Sequence, residues 1–538
     1  MKLKLNMNMR IKTLRNAVSI GKMILLLVVL GWIAACQMKD PSSQEYDLVI
    51  LDGRVMDPET NFDALRNIGI KDGKIVTITE DAIIGHESID AKNHVVAPGF
   101  IDPHVHGIEL SGFTNKVMIR DGVTTQLELE VGVWPVDRFY KDREGKWHSN
   151  FGATVGHLPV RIQVLDGVDP KGSNAFSDKS ISPGIRKSGG KYEWEYEGRD
   201  QQDQIMKLVE TGLKQGALGI GLPIGYELDG TSSYEAFRLT ELSGKYGRFI
   251  SLHGRFSSQR PPTSGILGTQ ELLASVAING GGLWVHHYHA QGLAITKQIT
   301  ELIEASRTKG MKVAGAIYPY NYGSTIAAAP YLTPSNYGPN MGRTYKDIIE
   351  VPAMKPLTKE RYEDLLKNDR GHTVLFYHCT KETLAEVVVH KGVSIESDAM
   401  PYLGDDGNTL PWDAPYESAK GHPRAAGTHA KTLRMVREKK WDMPLMHALD
   451  KMSLMIAQFL EDNGVTQMKT KGRLQEGMDA DIVLFDPKTV TDNSTMLNGA
   501  LPSTGIPYVI VNGTIVVKDS KVLKGVYPGQ AIRLAEME

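Results

Sequence analysis

The middle of the chain alternates apolar, strand-like runs with helical stretches, and this alternation constrains the fold more than any other feature. The apolar runs lie at residues 95–103, 123–131, 151–158, 216–222, 249–253, 283–287, 312–318 and 393–398. Strands that alternate with helices predict βα units around a parallel sheet. Eight units predict an α/β fold, a (β/α)8 TIM-like barrel, whose functional site lies at the C-terminal ends of its strands.

The two ends of the chain read differently, as short strands joined by tight turns. Asp52-Gly53 and Asp72-Gly73 are hairpin signals in the first segment, and residues 508–517 repeat the style near the C-terminus. We expect residues 46–97 and 470–538 to form one small β-sandwich domain. The barrel then occupies residues 98–469, with loop insertions near 169–202 and 330–371 and one further strand at 372–377.

The first 35 residues have the pattern of a secretory signal. Six Lys and Arg residues and no acidic residue lie within residues 1–22, and an apolar stretch at 23–33 leads into Ala34-Ala35-Cys36. This pattern predicts a bacterial lipoprotein signal peptide, lipidation at Cys36, and a tether over residues 36–45. We therefore expect a membrane-anchored protein of the cell envelope that faces the periplasm. An uncleaved anchor helix is the alternative, although the apolar stretch is short for a membrane span.

Overall composition excludes some partners. The formal net charge is −2, and 41% of residues are hydrophobic, so the chain has no basic footprint for nucleic acid. Cys379 is the only cysteine besides Cys36, so the mature body has no intrachain disulfide and depends on core burial for stability.

Metal-binding residue types recur at the ends of the apolar runs. His104 and His106 close the first run, and on an extended strand residues i and i+2 point to one face, so both imidazoles can reach one cation. Further candidates follow later runs: Glu128, Glu130, His253, His286, His287, His289 and Asp398. A single buried histidine is more often a core residue. Recurrence at the same position of successive strands favours one shared metal site.

These motifs resemble those of the amidohydrolase superfamily, and more closely the N-acyl-D-amino-acid deacylase (D-aminoacylase) family. The matching segments run through nearly all of residues 46–535: 98–106, Gly122-Val123-Thr124-Thr125, Gly156-His157 with Arg161, 216–219, His253-Gly254-Arg255, Tyr318-Pro319-Tyr320, Ser397-Asp398, 422–428 and 472–481. The resemblance implies an amide-cleaving hydrolase that uses zinc, one ion or two, and acts on a small N-acyl amino acid or a dipeptide with a D residue.

The chain departs from the family pattern at three places. After the second strand, the family carries a metal-binding cysteine, where this chain has Glu130-Val131-Gly132. At the sixth strand, the family has an S-H-x-K segment, which corresponds to residues 286–289 here, so His289 stands in place of a substrate-contacting lysine. After the fourth strand, Leu228-Asp229-Gly230 replaces a P-G segment. Residues 219–225 contain no lysine that could be carbamylated, which disfavours a hydantoinase-like or dihydroorotase-like site.

The resemblance assigns roles to named residues. The implied metal ligands are His104, His106, Glu130, His253 and His287, with Glu128 as the alternative to Glu130. Asp398 is the implied general base. Arg255 and Arg161 are candidates for the substrate carboxylate, since a guanidinium matches a carboxylate, and Tyr318 and His289 are candidate pocket residues. A dihydroorotase-like or isoaspartyl-dipeptidase-like hydrolase is the alternative function, and a non-catalytic ligand-binding lipoprotein is a third.

Overall fold

The computed structural model describes residues 46–106, 112–174, 183–196 and 198–537. The predicted signal peptide, the tether and Cys36 lie outside these residues. Within the described part of the chain, no helix has the length and apolar character needed to cross a membrane.

Strands from both chain ends form one nine-stranded sheet. Its members are β1 (Tyr46–Asp57), β2 (Phe62–Lys71), β3 (Lys74–Thr79), β4 (Gly85–Asp90), β5 (Val95–Pro98), β18 (Ile482–Phe485), β19 (Tyr508–Val511), β20 (Thr514–Lys518) and β21 (Lys521–Val522). β5 pairs with β18 in antiparallel register, with Ala97 opposite Val483, so this pair joins the two ends. The boundaries at residues 98 and 469 stay predictions.

A second sheet contains eight strands and forms the barrel. In order along the chain they are β6 (Phe100–Asp102), β7 (Val123–Val133), β8 (Asn150–Gly156), β9 (Ile220–Leu222), β10 (Phe249–Leu252), β11 (Gly282–Val285), β12 (Lys312–Ile317) and β17 (Ser394–Ile395). Every neighbouring pair is parallel. The predicted fold class is confirmed, and each strand lies on one of the eight predicted runs.

Helices connect the barrel strands and cover the barrel. They are α1 (Phe113–Arg120), α2 (Val136–Arg143), α3 (His157–Asp166), α4 (Pro183–Ser188), α5 (Lys191–Trp194), α6 (Arg199–Lys214), α7 (Ser233–Lys245), α8 (Gly265–Asn279), α9 (Tyr288–Gly292), α10 (Thr296–Thr308), α13 (Lys381–Val388), α14 (Arg424–Arg437), α15 (Leu445–Met452) and α16 (Leu454–Asp462). Short helices α4 and α5 lie in the first predicted insertion.

The second insertion carries its own sheet. β13 (Tyr322–Ile326), β14 (Ile348–Glu350), β15 (Lys355–Pro356) and β16 (Thr373–Tyr377) pair antiparallel beside α11 (Pro334–Met341) and α12 (Lys359–Asn368). The strand predicted at 372–377 is β16.

The last and first barrel strands meet beyond their formal ends. Val105 and Ala399 form a parallel bridge, His106 N donates to Ala399 O at 2.7 Å, and Ala399 N donates to His104 O at 3.2 Å. This closure sets the two histidines of the first strand beside Asp398. The opposite end is apolar: buried Trp284 packs edge-on against Phe459 of α16, with ring centroids 4.9 Å apart.

Candidate metal centre

Six predicted site residues lie together at the C-terminal ends of five barrel strands. His104 and His106 follow β6, Glu130 lies in β7, His253 follows β10, His287 follows β11 and Asp398 follows β17. All six are buried, at no more than 6% exposure. They come from distant parts of the chain because parallel strands of a barrel end at one mouth.

Glu130 lies at the middle of this cluster, between two pairs of histidines. Its Oε1 is 2.8 Å from Nδ1 of His253 and 2.8 Å from Nε2 of His287. Its Oε2 is 3.2 Å from Nε2 of His104 and 3.0 Å from Nε2 of His106. One carboxylate is therefore shared by two triads, His104–His106–Glu130 and His253–His287–Glu130. Within each triad, the candidate ligand atoms all lie within 4.8 Å of one another.

Asp398 lies against the first histidine pair. Its Oδ1 is 3.5 Å from Nε2 of His104 and 3.7 Å from Nε2 of His106. Nη2 of Arg424 is 2.7 Å from the same oxygen. Burial raises the pKa of Asp398 to about 6, against the opposing effect of the Arg424 charge. A carboxylate with a raised pKa is suited to accept and then release a proton.

The electrostatics of the cluster favour an ionised carboxylate at its centre and differ between its histidines. Burial opposes the charge on His104 and His106, but the neighbouring carboxylates outweigh it: they raise the pKa of His106 to about 9 and that of His104 well above the ordinary value, so a bound cation would take the place of protons there. Burial opposes ionisation of Glu130, but His104 and His253 outweigh it and hold its pKa well below the ordinary value. Burial lowers the pKa of His287 to about 3, so this imidazole keeps a free lone pair. A catalytic zinc ion is held by three protein ligands, which are commonly histidine nitrogens and carboxylate oxygens.

Two site residues have a backbone conformation that L residues rarely adopt. His287 has φ 27° and Asp398 has φ 55°. Such conformations cost roughly 1–3 kcal/mol each and persist where the surrounding contacts impose them. Here each turns the chain sharply at a strand end and aims a side chain at Glu130 or at the first histidine pair.

Glu128, the alternative to Glu130, lies outside the cluster and contacts it through His106. Its Oε1 is 2.9 Å from Nδ1 of His106, and its Oε2 accepts a hydrogen bond from Asn174 at 2.9 Å. Nδ1 of His106 faces away from Glu130, so Glu128 contacts a candidate ligand rather than the shared position. Carboxylates in this place fix the tautomer of a metal-binding histidine.

Two further buried residues lie beside the cluster: His286, a candidate in the sequence to which no role was assigned, and Glu396, which the sequence interpretation did not select. Glu396 Oε2 is 2.7 Å from Nδ1 of His286, and Oε1 accepts a hydrogen bond from the backbone N–H of His287 at 2.7 Å. Strand alternation could have found Glu396, because it precedes Asp398 by two residues.

The structure places the two predicted carboxylate-binding arginines in contacts within the chain. Arg161 is fully buried in α3, with Nη1 2.9 Å from Glu235 and Nε donating to Tyr192 O. Arg255 makes two 2.9 Å contacts with Glu271. Neither borders the small pocket beside the histidines, so their predicted role has no support from geometry.

Arg424 does not border this pocket either, but it is better placed than the other two because it contacts Asp398, which does. Arg424 is buried, and its Nε and Nη1 have no hydrogen-bond partner among the described residues. Its guanidinium lies 4.8 Å from the ring centroid of Tyr318. Tyr318 lines the small pocket as predicted, and its hydroxyl is 3.0 Å from Nε2 of His378.

His289 lies behind Tyr318 rather than in the pocket. The two ring centroids are 4.4 Å apart, and Nε2 of His289 is 3.2 Å from the carbonyl oxygen of Tyr320. Burial lowers the pKa of His289 to about 4. It therefore supports the tyrosine as a neutral side chain and does not supply the positive charge of a lysine.

Two cavities share Tyr226 as a lining residue, and the inner one borders the cluster. The inner one, of about 10 Å³, is bordered by His253, His287, Tyr318 and Asp398 and has room for about one water. The outer one, of about 310 Å³, lies between the two insertions and is bordered by Trp194 and Arg370 among others. Tyr226 borders both, and its hydroxyl is 3.1 Å from that of Tyr331.

The similarity to known proteins extends over almost the whole chain. No family model matches the sequence. The D-aminoacylase of Alcaligenes xylosoxydans xylosoxydans is 24% identical over 542 residues, covering 92% of this chain and 99% of that protein. The N-acyl-D-glutamate deacylase of the same organism is 24% identical over 88% of this chain and 94% of that protein.

Solved structures show the same relationship in the fold. The N-acyl-D-glutamate deacylase from Bordetella bronchiseptica, solved with zinc and a phosphonate inhibitor, has a TM-score of 0.71 at 22% identity and covers 91% of this chain and 100% of its own. The chain resembles the D-aminoacylases, a subset of the amidohydrolases. The TM-score is 0.70 for a D-aminoacylase structure and 0.56 for a D-hydantoinase structure, so the fold of this chain is more similar to that of the D-aminoacylase.

Proposed function

We propose that this chain is a metal-dependent hydrolase that removes the acyl group from N-acyl-D-amino acids, or cleaves dipeptides that contain a D residue. The observation that carries the proposal is one buried carboxylate, Glu130, held between four histidines with Asp398 beside them. The D-aminoacylase relatives, matched end to end, support the substrate class.

The donor set fits zinc at one or two positions that share Glu130. His104 and His106 would hold one ion and His253 with His287 the other. When bound, zinc supplies a Lewis acid that polarises the amide carbonyl and lowers the pKa of water towards ~7.

Asp398 carries the proton in this mechanism. Its carboxylate, beside His104 and His106, takes a proton from the attacking water and delivers it to the leaving amine nitrogen. Arg424 contacts Oδ1 and holds the carboxylate in place while the proton moves. These side chains are buried, and the low exposure to water strengthens their charge interactions.

The carboxylate of the amino-acid product is expected to bind beside Arg424. That guanidinium is buried, close to Asp398, and has two nitrogens without hydrogen-bond partners among the described residues. A buried donor without an acceptor costs roughly 1–3 kcal/mol, which a bound carboxylate would recover. Tyr318, stacked on the same guanidinium, limits the space around it.

The test is an amine-release assay with the purified, zinc-loaded protein. The panel contains N-acetyl-D-amino acids, their L enantiomers, dipeptides with a D residue, and cyclic amides such as dihydroorotate and hydantoin. We expect turnover of the D substrates and its loss after chelation of the metal. Turnover of the cyclic amides alone would replace this proposal by the dihydroorotase-like alternative.

We further propose that the mature protein is attached to a membrane of the cell envelope by lipid on Cys36 and faces the periplasm. The support is the basic and then apolar sequence that leads into Ala34-Ala35-Cys36. Labelling with an alkyne fatty acid should mark the wild type and not the Cys36→Ala variant. Equal labelling of both would contradict the proposal.

A further inference from the structure

Glu396 links residues of both halves of the candidate metal centre. It lies at the end of β17, is fully buried, and contacts residues that follow β6 and β11. Its Oε1 is 3.2 Å from Nδ1 of His104 and accepts the backbone N–H of His287 at 2.7 Å. His104 belongs to one triad and His287 to the other.

His286 and Ser251 support this carboxylate from the opposite side. Nδ1 of His286 is 2.7 Å from Oε2 of Glu396, and Nε2 of His286 is 2.7 Å from Oγ of Ser251. All three residues are fully buried. When Nδ1–H of His286 donates to Glu396, Nε2 of His286 accepts a hydrogen bond from the Ser251 hydroxyl. Both ring nitrogens of His286 then have a partner.

We propose that Glu396, supported by His286, is a positioning residue that sets the affinity of the site for its metal. This inference rests on the proposed metal site. Oε1 of Glu396 lies 3.2 Å from Nδ1 of His104 without the alignment of a hydrogen bond. Its charge therefore favours a proton on that nitrogen and a lone pair on Nε2, which faces Glu130 and Asp398. The contact with the amide of His287 holds that residue at φ 27°, the conformation that aims its ring at Glu130.

Geometry argues against Glu396 as a metal ligand itself, although it forms a triad with His104 and His286. Its two oxygens already accept from a backbone N–H and from Nδ1 of His286, both at 2.7 Å. A cation there would displace these donors. Because both oxygens of Glu396 already accept hydrogen bonds, its role is to position His104 and His287 rather than to bind the metal.

The experiment measures zinc binding by competition with a chromophoric chelator, on the wild type and on Glu396→Gln, His286→Gln and Glu235→Gln. Glu235 is the matched control: it is fully buried and lies 2.8 Å from a histidine, His157, outside the cluster. For Glu396→Gln we expect weaker zinc binding by roughly 10–100-fold with the stoichiometry unchanged. His286→Gln should weaken it less, and Glu235→Gln should leave it as in the wild type.

A second readout is the visible absorption of the cobalt-loaded protein, which reports the ligand geometry and which a loss of stability alone would not move. We expect the spectrum to shift in Glu396→Gln and to stay unchanged in Glu235→Gln. Wild-type zinc affinity and spectrum in Glu396→Gln would overturn the inference, and so would loss of a whole zinc equivalent, which would make Glu396 a ligand. If Glu396→Gln does not fold, unchanged affinity in His286→Gln overturns it. A wild type that binds no zinc would instead overturn the proposed function.

Discussion

Two buried clusters of histidine and glutamate lie in the described part of this barrel, and they differ in how many histidines share one carboxylate. In the first, four histidines surround Glu130. In the second, His157 lies 2.8 Å from both Glu227 and Glu235, and Arg161 contacts Glu235 at 2.9 Å. The residue types are similar, but in the second cluster a single histidine lies between two carboxylates.

The pKa values of the histidines differ within the first cluster as well as between the two clusters. Burial opposes the charge on His157, but Glu227 and Glu235 outweigh it and raise its pKa to about 10, so this ring holds its proton. In the first cluster, burial lowers the pKa of His287 to about 3, whereas Glu128 outweighs burial and raises that of His106 to about 9. Protonation alone therefore does not separate the clusters. The convergence of four imidazoles on one carboxylate does, because it supplies the donors of a metal site, whereas one imidazole between two carboxylates forms an ion network.

The largest expected effect is at the shared carboxylate. Glu130→Ala removes the common member of both triads, so we expect zinc content to fall and turnover to drop roughly a thousandfold, since the metal contributes several kcal/mol to the transition state. Elemental analysis and the amine-release assay measure both. Full zinc content in this variant would contradict the comparison.

Asp398→Asn separates proton transfer from metal binding. The amide cannot take a proton from water, so we expect kcat to fall by about 10²–10⁴-fold, while zinc content stays near that of the wild type. Near-normal turnover would show that another group is the base.

Glu227→Gln tests the second cluster. It leaves His157 and Arg161 with one carboxylate in a buried environment, so we expect the free energy of unfolding to fall by roughly 3–5 kcal/mol, measured in urea. Zinc content of the folded fraction should not change. Loss of zinc with normal stability would place His157 in the metal centre after all.

Arg255→Ala should have the smallest effect on activity. Its guanidinium is held by Glu271 and does not border the inner cavity, so we expect KM to stay near the wild-type value. Because the pair is largely buried, with side-chain exposures of 9% and 16%, stability should fall by roughly 1–3 kcal/mol. A large rise in KM would restore Arg255 as the residue that binds the substrate carboxylate.

The sequence predicted the barrel and the metal-binding residue types because both follow from local periodicity. Each predicted ligand closes an apolar run, and strand ends of a parallel barrel converge, so His253 and His287 could be placed together without knowledge of their contacts. The position of Glu130 between both histidine pairs could not be read, because it depends on the register of β7 against its neighbours.

The arginines show what the sequence alone cannot decide. Arg161, Arg255 and Arg424 all lie in segments that match the family pattern, and composition cannot tell which guanidinium is already paired. Only tertiary contacts reveal that Arg161 and Arg255 each face a glutamate of this chain, whereas Arg424 reaches Asp398. Glu396 could have been selected from its spacing to Asp398, but its contacts with His104, His286 and His287 could not be predicted, since these partners follow other strands.

The tyrosine pair that borders the inner cavity has a kinetic consequence. The hydroxyls of Tyr226 and Tyr331 are 3.1 Å apart, and the cavity that both rings border has room for about one water, so an acylated amino acid cannot fit beside His253 and His287 while these rings keep their positions. Binding of substrate in this cavity therefore requires side chains to move. The rate of that movement sets an upper bound on turnover, however fast the amide bond is broken.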